Sequence, residues 1–260
     1  MAFVEKPEKL SAIILAAGKG TRMKSDMVKV LHPLCGRPIL SYVVEAAKDI
    51  GSEKIVVIVG YQADAVREIF GEQNLTFIEQ REQLGTGHAV LQARRIFENY
   101  DGVILIICGD VPLLKSSTLQ SLLDCHRTSR STLTVLTAVL PDPAGYGRII
   151  KGPGGDVLRI VEQRDATEEE EKIKEINTGI YCAESDFLFN ALMKINNNNN
   201  QKEYYLTDIV AIACKDGRAV RTIIADDYRE VMGINTHEEL QKAHHYMEEM
   251  KSRGSVHAHR

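Results

Sequence analysis

An apolar run from Ser11 to Ala17 stops at Gly18-Lys19-Gly20-Thr21-Arg22, and a further cation, Lys29, follows seven residues after Arg22. No other stretch constrains the fold as much. A strand without alternation needs cover on both faces, the condition of a parallel sheet packed between helices. Glycines at 18 and 20 remove the Cβ atoms that would hold a backbone away from a ligand, and they permit positive φ, so successive N–H groups can turn toward one centre. Such a loop at the end of a strand cradles an anion, and Lys19, Arg22 and Lys29 add full positive charge. The anion implied by that much charge in so small a volume is a nucleoside triphosphate.

Two better-known glycine loops do not fit. One residue separates the glycines and no Ser or Thr follows a Gly-Lys, against the G-x-x-x-x-G-K-[ST] pattern, and the third glycine of G-x-G-x-x-G would fall at Met23. A dinucleotide-dependent oxidoreductase is disfavoured for the same reason.

The next elements keep the same rhythm. Pro38 suits the first turn of a helix through about Asp49, with Ile39, Val43 and Ala46 on one face. Lys54 to Val59 reads as a second buried strand, Ala63 to Phe70 as a helix, Leu75 to Ile78 as a short strand and Val103 to Cys108 as a third apolar run. Strand, helix, strand, helix, strand predicts a doubly wound, mostly parallel α/β sheet with ligands at the carboxyl ends of the strands. Gly18 and Asp110 both follow such ends and so share one rim.

Thr86 is an expected N-cap for a helix through about Glu98. Asp110, just past a buried strand, fits the cap of the next helix when read alone; beside a polyphosphate loop it fits a Mg²⁺ ligand, because Mg²⁺ takes one or two carboxylates plus phosphate oxygens. Beyond Leu114 the pattern becomes β-rich: a helix over 115–128, then strands at Thr132 to Val139, Arg148 to Lys151, Val157 to Glu162 and Asn177 to Tyr181. No Ser, Gly or Pro linker separates this part, which predicts a second lobe on the same sheet. Tyr204 to Ala213 reads as an amphipathic helix, with Glu203 and Tyr205 placed to line a pocket of that lobe, and Ala219 to Ile224 as a strand. Thr236 and Glu239 fit a capping box for a helix from about His237 to Met250, leaving the Asn235 amide free to turn inward. Residues 1–10 read as a leader, residues 11–236 as the domain with its halves meeting near 114 and 115, and residues 237–260 as a helix and tail. His244, His245, His257 and His259 are explained by that tail, Glu168 to Glu171 by a solvated face, and Asn196 to Asn200 by a surface loop.

Bulk properties exclude several classes. A net charge of -4 leaves no basic footprint for nucleic acid. No apolar run approaches the roughly 20 residues that span a bilayer. The apolar run after Lys9 imitates a signal peptide, but Glu5 and Glu8 flank it and cleavage would cut the anion loop. Five cysteines without C-x-x-C spacing suggest neither disulfides nor zinc and read as reduced, mostly buried thiols. The expected compartment is the cytoplasm.

The string LAAGKGTRM, from Leu15 to Met23, followed by a lysine before Val30-Leu31, resembles the opening signature of the sugar nucleotidyltransferases. QLGTGHA (Gln83 to Ala89), GDVPLL (Gly109 to Leu114), DPAGYGRI (Asp142 to Ile149), IVEQRDAT (Ile160 to Thr167), EINTGI (Glu175 to Ile180), EYYLTDI (Glu203 to Ile209) and GIN (Gly233 to Asn235) follow in that family's order. Within the family the chain resembles the uridylyltransferase domain of the bacterial bifunctional enzymes that make UDP-N-acetylglucosamine.

The resemblance implies a Rossmann-like nucleotide-diphospho-sugar transferase fold with a β-rich sugar-binding lobe, and the substrates UTP and N-acetylglucosamine 1-phosphate. It implies nucleotide contacts at Leu15, Ala16, Ala17, Gly18, Lys29, Gln80, Gly85, Thr86, Gly109 and Asp110. Sugar-phosphate contacts are implied at Gly147, Glu162, Asn177 and Asn235, Mg²⁺ ligands at Asp110 and Asn235, and catalytic cations at Arg22 and Lys29. Relatives often carry tyrosine where this chain has Cys108. The family's left-handed β-helix of hexapeptide repeats does not appear before Arg260, so acetyl transfer is not expected and a monomer or weak oligomer is. Rivals on the sequence alone are a nucleotidyltransferase with another base or sugar and a non-catalytic nucleotide-sugar sensor.

Overall fold

The structure, a computed structural model, describes residues 9–257. Residues 1–8 of the expected leader lie outside the described residues, as do the side chains of His257 and His259. Strand β1 (Leu10–Ala16) leads into short 3-10 turns at Thr21–Met23 and Lys29–Leu31. A two-residue pairing of β2 (Pro33–Leu34) with β3 (Arg37–Pro38) then launches α1 (Ile39–Asp49). β4 (Lys54–Val59), α2 (Ala63–Phe70), β5 (Thr76–Glu79), α3 (Thr86–Leu91) and β6 (Val103–Cys108) complete the first half. The second half runs α4 (Ser116–Thr128), β7 (Leu133–Val139), β8 (Arg148–Lys151), β9 (Val157–Val161), α5 (Glu168–Glu171) and β10 (Glu175–Glu184). α6 (Ser185–Leu192), α7 (Asp208–Lys215), β11 (Val220–Ile224) and α8 (His237–His257) close the chain.

Nine strands form one sheet in the order β11-β7-β10-β6-β1-β4-β5, with β8 and β9 branching from β10. β6, β1, β4 and β5 are parallel neighbours. Only β10 runs against this direction in the main path, antiparallel to both β6 and β7, and it welds the two halves into one sheet. The second lobe therefore grows on the first half's sheet, as expected.

The apolar runs lack alternation because each strand feeds two cores. In β1, Ala12, Ile14 and Ala16 enter the core under α1, α2 and α4, while Ile13 enters the opposite one. Val57 and Val59 of β4 divide from Val56 and Ile58 in the same way. Each fully buried Val or Ile contributes about 1.5–3 kcal/mol. A third, smaller cluster of Leu34, Ile39, Ile234 and Ala243 seats α8 against the hairpin before α1. Cys35 adds a tie there, its backbone N–H donating to His244 Nε2 at 3.2 Å.

Several local expectations need correction. The helix expected from Thr86 to about Glu98 is α3 followed by a 3-10 turn at Arg94–Phe97, and its N-cap is Gly85 at φ 108°. Thr86 does not cap, because its hydroxyl accepts the Leu206 N–H at 3.1 Å. Residues 204–207 are not helical: Tyr204 N–H donates to Leu84 O and Gly87 N–H to Tyr204 O, each at 2.8 Å, so this backbone is committed to the loop before α3 and α7 starts only at Asp208. β10 is longer than expected and carries a bulge between Asn177 and Ile180. Glu168 to Glu171, by contrast, are the solvated face expected of them, on a short helix behind a Thr167–Glu170 capping box with no buried residue. All five cysteines are free, but only Cys182 is buried; the other four are half-buried. No helix of the described residues is long and apolar enough to cross a membrane.

His126 of α4 is buried, with Nδ1 2.9 Å from the Thr134 hydroxyl. Burial, helped by the neighbouring Arg127 charge, lowers its pKa from 6.5 to about 4. Below pH 6.5 the unfolded chain takes up a proton that the folded chain refuses, so this stability is complete above that pH and is lost as pH falls toward 4. The loss amounts to about 3 kcal/mol at 1.36 kcal/mol per pKa unit. Thermal melts from pH 7 to 4 should show a steeper fall of Tm in the natural protein than in His126→Gln, and equal slopes would remove His126 as the source.

Candidate active site

The carboxyl ends of β1 and β6 and the loop before α3 enclose a cavity of about 370 Å³. Its walls include Leu15, Ala16, Ala17, Gly18, Lys29, Gln80, Gly85, Thr86 and Asp110, nine of the ten residues expected at the nucleotide. The tenth, Gly109, stands behind the wall. Its N–H donates to Leu15 O at 2.8 Å, and a Cβ there would lie 2.9 Å from the same oxygen, so this glycine lets β6 close onto β1. Gly60 does the same for β4, where a Cβ would meet Ala17 O at 2.6 Å.

Gly20 takes the left-handed conformation at φ 63°, and a Cβ there would stand 2.5 Å from Lys29 Cβ. The loop can therefore fold over Lys29 only with glycine at this position. The Lys29 ammonium bonds Asp110 Oδ2 and donates to Asn235 Oδ1 at 2.9 Å. Arg22 donates to the same Asn235 oxygen at 2.9 Å. Residues from β1's loop, the end of β6 and the start of α8 thus meet at one point.

Asn235 is free for this because Thr236 is the helix cap. Glu239 accepts the Asn235 N–H at 2.6 Å and the Thr236 N–H at 3.0 Å, and the Thr236 hydroxyl accepts the Glu239 N–H at 3.2 Å. Ile234 N–H donates to Asp110 O at 2.9 Å, and a Cβ on Gly233 would lie 3.3 Å from Asp110 Oδ2, so a side chain there would crowd the carboxylate.

Three of the four residues expected at the sugar phosphate, Gly147, Glu162 and Asn177, form a second cluster, while the fourth, Asn235, stands with Lys29 and Arg22. Asn177 N–H donates to Gly147 O at 2.9 Å, and Glu162 Oε2 lies 3.4 Å from where a Gly147 Cβ would be. The bulge in β10 turns Asn177 so that its Oδ1 accepts the Gly179 N–H at 3.1 Å and the Tyr181 hydroxyl at 2.9 Å. Thr207 donates to Glu162 Oε1 at 3.0 Å. Burial raises the Glu162 pKa; the Thr207 bond opposes this, and Asp165, Asp208 and Glu203 raise it further. Glu203 also lines the 370 Å³ cavity, which links the two clusters.

Gln83, Val30 and Ala89 line that cavity as well, although sequence reasoning did not single out their roles, and so does Cys108, noted in the sequence only as standing where relatives often carry tyrosine. Gln83 lay within the QLGTGHA string, and it donates to Ala17 O at 2.7 Å. Cys108 faces Gly179 O, with its Sγ at 3.7 Å, and burial pushes its thiol up to about 12, which keeps it protonated and unreactive. Lys19 lines a neighbouring cavity of about 330 Å³ with Tyr61, Glu79 and Arg81 instead of the central one. The asparagine tract is more than a surface loop. Asn199 pairs with Glu203 through both its amide groups, and Asn200 donates to Arg164 O and Asp165.

The profile of the MobA-like NTP transferase domain matches residues 12–150. The chain belongs to the MobA-like NTP transferase family. It is 52% identical over 235 residues to the bifunctional protein GlmU of Geobacter metallireducens, covering 90% of this chain and 49% of that protein. It is 46% identical over 240 residues to the bifunctional protein GlmU of Desulfotalea psychrophila, with 92% and 71% covered. For that of Pelobacter propionicus the figures are 49% over 237 residues, 91% and 52%. The chain thus spans about half the length of the Geobacter and Pelobacter proteins. The NTP transferase match takes in the anion loop, Gln80 to Thr86, Asp110 and Gly147, and the relatives' similarity extends over nine-tenths of the chain.

Glu162 offers a test of this electrostatic arrangement within the NTP transferase fold. Below pH 4.5 its carboxyl is protonated in the folded and unfolded chain alike; as pH rises through the raised folded value, ionising a buried group costs stability. Glu162→Gln keeps an acceptor for Thr207 and should match the natural protein in Tm below pH 4.5 and exceed it at pH 7. A Tm difference that does not change with pH would contradict the shift.

Proposed function

We propose that this chain joins UTP and N-acetylglucosamine 1-phosphate to give UDP-N-acetylglucosamine and pyrophosphate. The observation that carries the reading is the meeting of Arg22, Lys29, Asp110 and Asn235 at one point on the rim of a cavity walled by the glycine loop and by Gln80, Gly85 and Thr86. The resemblance of Gly147, Glu162 and Asn177 to a sugar subsite, and the relatives' name, support the choice of substrates.

In this reading a phosphate oxygen of the sugar 1-phosphate forms a bond to the α-phosphorus of UTP, the bridge to the β-phosphorus breaks, and its electron pair leaves with pyrophosphate. A phosphate monoester with a second pKa near 6 is already mostly ionised at neutral pH, so no side chain has to remove a proton. The obstacle is repulsion between two anions. Arg22, Lys29 and the N–H groups of Ala17 to Gly20 hold the phosphates and offset their charge. Gln80, Gly85 and Thr86 hold the uracil, while Glu162 accepts from sugar hydroxyls and Asn177 serves the N-acetyl group.

The residues present fit Mg²⁺. A carboxylate and an amide oxygen, both hard donors, already converge on one cationic atom, the Lys29 ammonium. No group of three or more His, Cys, Asp or Glu among the described residues is arranged for a metal, in keeping with a pair of protein ligands completed by phosphate and water. When bound, Mg²⁺ supplies positive charge to the phosphates. These substrates and the five free cysteines favour the cytoplasm.

Pyrophosphate release with a panel of nucleoside triphosphates and sugar 1-phosphates, with and without Mg²⁺, tests the proposal. UTP with N-acetylglucosamine 1-phosphate should be the best pair, and a preference for another base or sugar would overturn the assignment. Arg22→Ala and Lys29→Ala should each lower kcat/KM by about 10²–10³, the scale of losing one preorganised electrostatic donor; losses below a few-fold in both would reject their role. Because Lys29 sits between the two proposed metal ligands, Lys29→Met should bind Mn²⁺ more tightly than the natural protein in the absence of nucleotide. Paramagnetic resonance of free Mn²⁺ measures this, and an unchanged affinity would separate the lysine from the metal position.

A further inference from the structure

We infer that Cys35 and His244 form a reactive thiol–imidazole pair in the seam between the β2–β3 hairpin and α8, a site of disulfide exchange whose occupation lifts α8 and with it Asn235. Neither residue lines the cavity described above, and the site goes beyond the reaction proposed for it.

The hairpin turns through two residues, Cys35 at φ 48° and Gly36 at φ 81°. Two positive φ values in a two-residue turn suit Asn or Asp followed by Gly, so cysteine is out of place at 35 on backbone grounds. Its side chain is spent on α8 instead. The Cys35 N–H donates to His244 Nε2 at 3.2 Å, and Cys35 Sγ stands 3.5 Å from Nδ1 of the same ring. A backbone N–H only donates, so Nε2 accepts and the neutral imidazole carries its proton on Nδ1, the nitrogen beside the sulfur. Turning the ring over would set carbon against that N–H. The imidazole thus gives its hydrogen bond to sulfur, and such a bond strengthens as negative charge gathers there.

The other cysteines lack this assistance. Cys182 is buried, and burial pushes the Cys108 thiol up to about 12 and raises that of Cys214. Cys125, half-buried on α4, has no imidazole hydrogen bond among the described residues. A small disulfide therefore reacts first at Cys35. Its sulfur, the proton passed to water, attacks one sulfur of the reagent; a new S–S bond forms, the old one breaks, and the leaving thiolate takes the electron pair and then a proton.

The consequence reaches Asn235 through packing. Leu34 and Ile39 of the hairpin segment meet Ile234 and Ala243 in one cluster. His244 follows Ala243, so a group attached to Cys35 Sγ takes the place of the imidazole and parts that contact. Ile234 precedes Asn235, whose side-chain oxygen accepts from Lys29 and Arg22. Lifting α8 at this point loosens the place where those cations meet.

The experiment treats the natural protein, Cys35→Asn and His244→Gln with oxidised glutathione. Asn suits the left-handed position, so Cys35→Asn keeps the hairpin. Adducts are mapped to each cysteine by peptide mass spectrometry, hydrogen exchange is followed over residues 234–247, and pyrophosphate release is measured before treatment, after it, and again after dithiothreitol. Cys35 should carry the first adduct, forming about tenfold more slowly in His244→Gln; a thiol that α8 merely shields would react faster in that variant. Exchange over 234–247 should rise, and activity fall, with the fraction of Cys35 modified, and dithiothreitol should reverse both, while Cys35→Asn keeps its activity throughout. No adduct at Cys35, a first adduct elsewhere, an unchanged or faster rate in His244→Gln, or modification of Cys35 without faster exchange would overturn the inference. If the untreated protein turns over no substrate pair, the proposed reaction fails; adduct mapping and exchange still decide the role of Cys35.

Discussion

The ammonium of Lys29, bonded at once to the carboxylate of Asp110 and the amide oxygen of Asn235, is the contact on which the rest of the site depends. It joins three places far apart in the chain: a loop after the first strand, the end of β6 and the threshold of α8. Each partner reaches it through a local device. Gly20 folds the loop over the lysine, Gly233 brings its segment against Asp110, and the Thr236–Glu239 capping box takes over the helix terminus so that Asn235 is spared that duty. Cations and hard oxygens are gathered in this way at one charged spot before any ligand is present.

The sheet supplies the rim that these devices decorate. Parallel strands end together at their carboxyl edge, and in β1, β4 and β6 those ends approach so closely that Gly60 and Gly109 admit no side chain. β10 then enters against the direction of its neighbours and carries Asn177, through its bulge, beside Gly147 and Glu162. One antiparallel strand thus brings the second half of the chain to the same rim, with Glu203 facing both halves.

Around the cavity, hydrogen bonds made behind the surface decide what the surface offers. Asn177 Oδ1 is held by Gly179 and Tyr181, and Gln80 Nε2 by Gly85, so each amide is set before any ligand arrives. The loop of asparagines belongs to the same construction, since Asn199 grips the backbone of Glu203. An amide offers a donor at one end and an acceptor at the other, and only its partners fix which is presented.

The residues alone determined the parallel strands of the first half and its first two helices to within a residue or so, because an unbroken apolar run admits little besides a sheet buried on both faces. They also marked out the glycine loop with its cations as a unit, whereas Asp110 read alone fitted a helix cap and Asn235 became a ligand only through the family resemblance; it is the tertiary structure that brings both to Lys29. Periodicity misled where backbone was spent on distant partners: residues 204–207 look helical in sequence but pair with the loop before α3, and Thr86 gives its hydroxyl to Leu206 instead of capping its own helix. The bulge that aims Asn177, the place of Gly109 behind the cavity wall, and the role of Gln83 were set by contacts between residues remote in the chain. Local pattern records what a segment can do by itself; which of its hydrogen bonds are already taken is known only once the other segments are in place.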